Sequence, residues 1–157
     1  MKTLVIYCSR TGNTRKVGHA VATALGCDEE EIVDGKDRSR ISGYLGAGRD
    51  ATLQRATPIQ AVQKNAAEYD LVVVGTPIWA FTVSSPVRTF LTEHGRNIKS
   101  VAFFCTMGGS GDERAFRHME ELCGKPPVAT LALTEKEVVG GGHHKIEDYV
   151  AVLRGVK

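Results

Sequence analysis

The chain has 157 residues, 42% of them hydrophobic and 24% charged, with a formal net charge of +2. That length fits a single domain, residues 1–157, with one full core and no linker. The longest apolar runs, such as Leu71-Val72-Val73-Val74, fall far short of the roughly 20 residues needed to cross a bilayer, and no basic face is concentrated enough for nucleic acid. The apolar stretch near Met1 is much shorter than a signal peptide's, and Cys8, Cys27, Cys105 and Cys123 show neither C-x-x-C nor metal-ligand spacing. The expectation is a cytoplasmic protein with reduced thiols and no metal.

In chain order, the first element is a nearly continuous apolar run at 4–7, which predicts a strand buried on both faces. Val17, Val21, Ala24 and Leu25 then recur at helical spacing, predicting a helix from Asn13 to Leu25 that stops at Gly26. A weaker strand is expected at Glu31-Ile32-Val33, before the turn-forming Asp34-Gly35. Residues 38–54 read as a helix interrupted by Gly43, Gly46 and Gly48. A strand at 71–74 precedes a helix with Pro86 in its first turn and Gly95 after its end, and a strand at 101–104 precedes a helix N-capped by Asp112 and stopped by Gly124. A looser strand at 128–133 and a helix at 145–153 complete the chain. Five strands alternating with helices predict a doubly wound α/β domain, whose ligands bind at the carboxyl ends of the strands.

The loop after the first strand, Ser9-Arg10-Thr11-Gly12-Asn13-Thr14, offers three hydroxyl groups, an amide and the free N–H groups of a helix start. Such a set suits a phosphate monoester, with Arg10, Arg15 and Lys16 adding charge nearby. Neither G-x-G-x-x-G nor G-x-x-x-x-G-K-[ST] occurs here, which argues against a dinucleotide and a nucleoside triphosphate. A tyrosine-phosphatase loop, C-x5-R, would begin at Cys8, but its arginine position holds Thr14 and Arg15 comes one residue late. A response regulator would need an aspartate where Thr76 stands. As a structural alternative, Thr11 or Asn13 is an ordinary helix N-cap.

This loop resembles the flavodoxin pattern [TS]-x-[TS]-G-x-T, and two further segments resemble that family's other flavin loops: Thr76-Pro77-Ile78-Trp79-Ala80 and Thr106-Met107-Gly108-Gly109. The resemblance implies a flavodoxin-like three-layer fold around a five-stranded parallel sheet in the order 2-1-3-4-5. It also implies FMN as cofactor, with the phosphate in the first loop and Trp79 stacking on the isoalloxazine. Thr106 to Gly109 would offer backbone N–H groups to the pyrimidine edge. In the family a peptide near the flavin flips on reduction to accept a hydrogen bond from N5, and Gly108 or Gly109 is the candidate for that flip. Two departures stand out. Met107 occupies the loop where typical flavodoxins carry a tyrosine over the outer flavin face, leaving that face open or covered by Phe81, and a net charge of +2 replaces the family's acidity.

The function implied is a low-potential electron carrier working between redox partner proteins as a monomer or weak dimer, with no catalytic side chain. An FMN-dependent NAD(P)H oxidoreductase of quinone-reductase type is the alternative, favoured by the open flavin face and the near-neutral charge. A phosphatase using Cys8 is the weaker one. His143 and His144 read as solvated loop residues without a third metal ligand, His94 as a helix C-terminal cap, His19 and His118 as surface or satisfied residues, and Cys8 and Cys105 as small core residues.

Overall fold

The computed structural model describes residues 1–35 and 57–157. The helix expected at 38–54 lies outside them. The described elements, in order, are β1 (Thr3–Tyr7), α1 (Asn13–Leu25), β2 (Asp28–Glu31), β3 (Leu71–Trp79), β4 (Thr82–Val83), α2 (Ser85–His94), β5 (Ser100–Met107), α3 (Asp112–Cys123), β6 (Thr130–Thr134), α4 (Glu135–Val139) and α5 (His143–Arg154). Short 3-10 turns at Ala66–Glu68 and Gly95–Asn97 complete the set.

The main sheet runs β2-β1-β3-β5-β6, with every neighbouring pair parallel. This is the expected five-strand order; two-residue β4 adds a hairpin to the end of β3, off the main path. Alternation along each strand divides the core into two layers. Leu4, Ile6, Val72, Val74, Val101 and Phe103 face Val87, Phe90 and Leu91 of α2 and Ala115 and Met119 of α3. Val5, Leu71, Val73, Ala102 and Phe104 face Val17 and Val21 of α1 and Val150 and Leu153 of α5. Helices thus cover both faces, which is why the central strands are continuous apolar runs.

Three expectations need correction, and one element was missed. The second strand is Asp28–Glu31, not 31–33, although Ile32 N–H still donates to Tyr7 O at 2.6 Å. A strand of four acids is stable here because it forms a sheet edge and its carboxylates have partners. Tyr7 Oη donates to Glu29 at 2.6 Å, the N–H groups of Gln63 and Lys64 donate to Glu30, and Arg15 donates to Glu31. Asp112 is not the cap of α3: Gly111, at φ 109°, fills that position without a side-chain hydrogen bond, and Asp112 sits in the first turn, where a carboxylate favours the helix dipole. His143 and His144 are exposed but open α5 rather than lying in a loop. Short α4 was not anticipated. His94 is the last residue of α2, its ring 5.2 Å from that of Phe90.

Candidate functional site

The three loops named from the sequence converge on one shallow cleft at the carboxyl end of the sheet. Its lining comprises Arg10, Thr11 and Asn13 from the β1–α1 loop, Pro77, Ile78 and Trp79 from the end of β3, Thr106, Met107 and Gly108 from the end of β5, and Glu135 from the start of α4. Adjacency of β1, β3 and β5 in the sheet brings these segments together although they are far apart in sequence. Ligand sites of doubly wound sheets occur at this place for the same reason.

The first loop is organised by Ser9, whose Oγ accepts from Gly12 N–H and Arg15 N–H, both at 3.2 Å. Gly12 is the N-cap of α1 at φ 98°, a left-handed conformation that glycine adopts without the Cβ penalty. Neither Thr11 nor Asn13 caps the helix through its side chain; Gly12 holds the N-cap position and Asn13 is the first helical residue. Thr11 is exposed, whereas Thr14 is buried with its Oγ1 2.7 Å from Thr106 Oγ1, a buried tie between the first and third loops. Arg15 turns away to Glu31, with contacts of 2.9 and 2.8 Å that hold its guanidinium charged beyond its ordinary range.

In the second loop, Trp79 is 7% exposed and the Arg10 guanidinium lies 5.6 Å from its ring centroid, within cation–π range. Thr76 does not reach the cleft. Its hydroxyl donates to Pro77 O at 2.8 Å or to Ser84 Oγ at 3.0 Å and accepts from Ser84 N–H, which fixes the start of α2. Ala80 and Phe81 form the two-residue turn of the β3–β4 hairpin at φ 49° and 63°. Both angles fit the type I′ turn that hairpin twist favours, but neither residue is the usual Asn or Gly. Phe81 is 66% exposed and does not line the cleft; a Cβ on Gly111 would come within 3.0 Å of its Cα.

In the third loop, Met107 is half-buried and Gly108 and Gly109 are exposed. A Cβ added to either glycine would meet no atom of the described residues within 4 Å, and neither lies at positive φ. Packing among the described residues therefore does not require glycine at these positions. Ser9, Gly12, Thr14, Thr76, Ala80 and Gly109 support or flank the cleft rather than line it. Glu135 was missed. The pattern Thr134-x-x-Glu137, here a capping box in which Thr134 N–H and Glu137 N–H donate to the reciprocal side chains, marks a helix start at the end of the last strand and could have found it.

Cys8 is 3% exposed and Cys105 fully buried, and burial pushes the Cys105 thiol up to about 12, the reverse of an activated nucleophile. Among the described residues no group of three or more His, Cys, Asp or Glu is placed to hold a metal ion, and no helix is long and apolar enough to cross a membrane.

The groups lining the cleft are of the kinds FMN requires: hydroxyls beside a helix N-terminus, an indole and a glycine-bearing backbone. The fold resembles that of a flavoprotein from Lactobacillus acidophilus NCFM solved in complex with FMN, at 21% identity and TM-score 0.72 over 83% of this chain and 92% of the other. A candidate flavoprotein from Bacteroides eggerthii DSM 20697 aligns at 23% identity and TM-score 0.73 over 99% of both chains. A flavodoxin from the domain Archaea aligns at 16% identity and TM-score 0.60 over 99% and 98%. The family model described as Flavodoxin matches residues 2–138. With the three loops of its sequence brought to one cleft and that model matching most of its length, the chain belongs to the flavodoxin family of FMN-binding proteins.

Proposed function

We propose that this protein is an electron carrier that seats FMN in the cleft described above. The observation that carries this reading is the cleft's lining. It joins a phosphate-type loop, an aromatic wall and an open glycine-bearing turn, and its only ionisable side chains among the described residues are Arg10 and Glu135. Among the described residues no activated nucleophile or paired acid and base lines it, so in this reading the cofactor supplies the redox chemistry and the protein binds, orients and tunes. FMN, when bound, provides one- and two-electron transfer. In this reading Thr11, Asn13 and the N–H groups at the start of α1 hold the phosphate, with Ser9 and Gly12 shaping the loop. Thr14 and Thr106 lock the first loop to the third, Trp79 covers one ring face, and the backbone of 106–109 meets the pyrimidine edge. Thr76 and Ala80 act on the ring loop from behind. Redox partner proteins, a cytoplasmic setting and a single-domain monomer or weak dimer belong to the same reading.

Anaerobic photoreduction of the purified protein loaded with FMN tests it. The expected result is reduction in two resolved one-electron steps. Passage straight to the two-electron-reduced spectrum would count against a carrier.

One observation favours a second reading, an NAD(P)H oxidoreductase. Met107 stands where an aromatic cover is usual, and Phe81 lies outside the cleft, which leaves a ring face open to a nicotinamide. Rapid anaerobic bleaching of the flavin by NADH or NADPH would select this reading over the carrier. A phosphatase is the least supported, because Cys8 is withdrawn from solvent.

A further inference from the structure

Helix α2 carries a cation that the cleft does not use. Arg88 is 8% exposed, and its Nε and Nη2 are buried without a hydrogen-bond partner among the described residues. Three residues earlier, Ser85 is fully buried and its Oγ also lacks a partner. Residues three apart share a helix face, so the hydroxyl and the guanidinium open on the same side of α2. The charge acting on Arg88 is positive. Burial first, then Arg114 of α3, pushes its guanidinium below the ordinary arginine range. His118 of α3, whose Nδ1 lies 3.0 Å from Thr82 Oγ1 of β4, is lowered by burial and then by Arg88, with Arg114 and Arg117 acting the same way and Glu121 opposing them. Among the described residues no carboxylate pairs with Arg88.

Buried charges in proteins are normally paired, and buried polar atoms normally have partners. Here one face of α2 holds three orphaned donor positions, and the opposing helix adds a second guanidinium instead of an acid. Such a set lacks one component, an oxyanion. We propose that Ser85, Arg88 and Arg114 form a phosphate-binding site separate from the phosphate loop of the cleft. Two guanidinium groups match the near-double negative charge of a phosphate monoester, and the hydroxyl and guanidinium donors match its three terminal oxygens; a carboxylate offers one charge and two oxygens. Arg88 and Ser85 are buried and Arg114 is exposed, so the proposed site opens from the α3 side, where the long Arg114 side chain can reach in. The site is coupled to the cleft wall by short links. Arg88 N–H donates to Ser84 O at 3.0 Å, Ser84 is bonded to Thr76, Thr76 precedes cleft-lining Pro77, and Thr82 pairs with Trp79. The phosphate comes either as the free ion or as part of a larger molecule.

The experiment is thermal melting of the FMN-saturated protein, with saturation read separately from visible absorbance, as phosphate replaces chloride at constant ionic strength. Wild type is expected to rise in midpoint with the logarithm of phosphate concentration. Arg88→Met is expected to melt no lower than wild type in chloride, since an uncompensated buried charge is gone, and to show no phosphate response. If Arg88→Met does not fold, Ser85→Ala and Arg114→Gln are the reporters, each with a weakened response. NADP+ raising the midpoint at lower concentration than NAD+, which lacks its extra phosphate, assigns the phosphate to a nucleotide; equal effects assign it to the free ion. An unchanged wild-type midpoint, or an equal rise in Arg88→Met, overturns the proposal.

Discussion

The hydroxyls of the first loop have different work to do, and the difference separates two experiments. Thr11 is exposed and lines the cleft, whereas Thr14 is buried against Thr106 at 2.7 Å. Thr11→Ala is expected to weaken FMN by about 1.5–3 kcal/mol, the range for a hydrogen bond to a charged group, with the urea midpoint of the flavin-free chain unchanged. Thr14→Val leaves the Thr106 hydroxyl buried without its partner and is expected to lower flavin-free stability by about 1–3 kcal/mol as well as weakening FMN. Equal urea midpoints for the two variants would show that the buried tie has no such role. Trp79 is the second residue-scale test. Its fluorescence is expected to be quenched when FMN is added, and Trp79→Ala is expected to weaken FMN by about 1–3 kcal/mol while Trp79→Phe retains part of the affinity. Unchanged fluorescence would place the ring elsewhere. At this scale the loops were legible because hydroxyls, a lone tryptophan and paired glycines at strand ends are compositional signals. Hydrogen bonding within the chain was not legible: Thr76, a candidate contact on sequence grounds, is committed to Ser84.

At the scale of elements, apolar continuity identified β1, β3 and β5, and glycine stops identified the ends of α1 and α3. What it missed are elements whose stability comes from partners. The acidic strand β2 depends on Tyr7, Arg15 and the backbone of 63 and 64. The two-residue β4 exists because β3 runs on to Trp79 and turns back through Ala80 and Phe81, neither of which is a usual turn residue. A left-handed conformation costs a residue with a Cβ about 1–2 kcal/mol, and glycine's larger entropy loss on folding takes back about 0.5–1. Ala80→Gly is therefore expected to raise flavin-free stability by up to about 1.5 kcal/mol, measured by chemical denaturation. The turn positions Trp79, so backbone freedom added beside it is expected to weaken FMN at the same time. A fall in stability would mean that the left-handed turn is not strained at Ala80.

For the molecule as a whole, the layered fold placed every proposed ligand contact at one end of the sheet, a consequence of strand order that alternating apolar and amphipathic segments already carried. The balance of its titrating groups was hidden, because it depends on contacts between distant segments. Asp28 is held below its ordinary 3.8 by the Tyr69 hydroxyl and then Lys64, Asp70 by the backbone N–H of Lys2, and Glu137 below 4.5 by Lys145 and the N–H of Thr134. A carboxylate with a depressed folded value stabilises above its ordinary value and loses that contribution as pH falls through the folded one. His118 is depressed from 6.5 by burial and its cationic neighbours, so the folded state resists its protonation, and stability declines as pH drops below about 6.5. Burial raises the thiols of Cys27 and Cys123 from 9.0 to about 11 and that of Cys105 to about 12, and burial with the Asp28 hydrogen bond raises Tyr69 to about 12. Acids with raised folded values contribute fully below their ordinary values and lose that contribution as pH rises through the folded ones. The thermal midpoint is therefore expected to be flat between about pH 6.5 and 9, to fall in two steps on the acid side and to fall again above pH 9. His118→Gln is expected to abolish the first acid step while leaving the second, below about pH 4.5, intact. Tyr69→Phe is expected to shrink the second step and leave the first; a first step that persists in His118→Gln would assign it to another group.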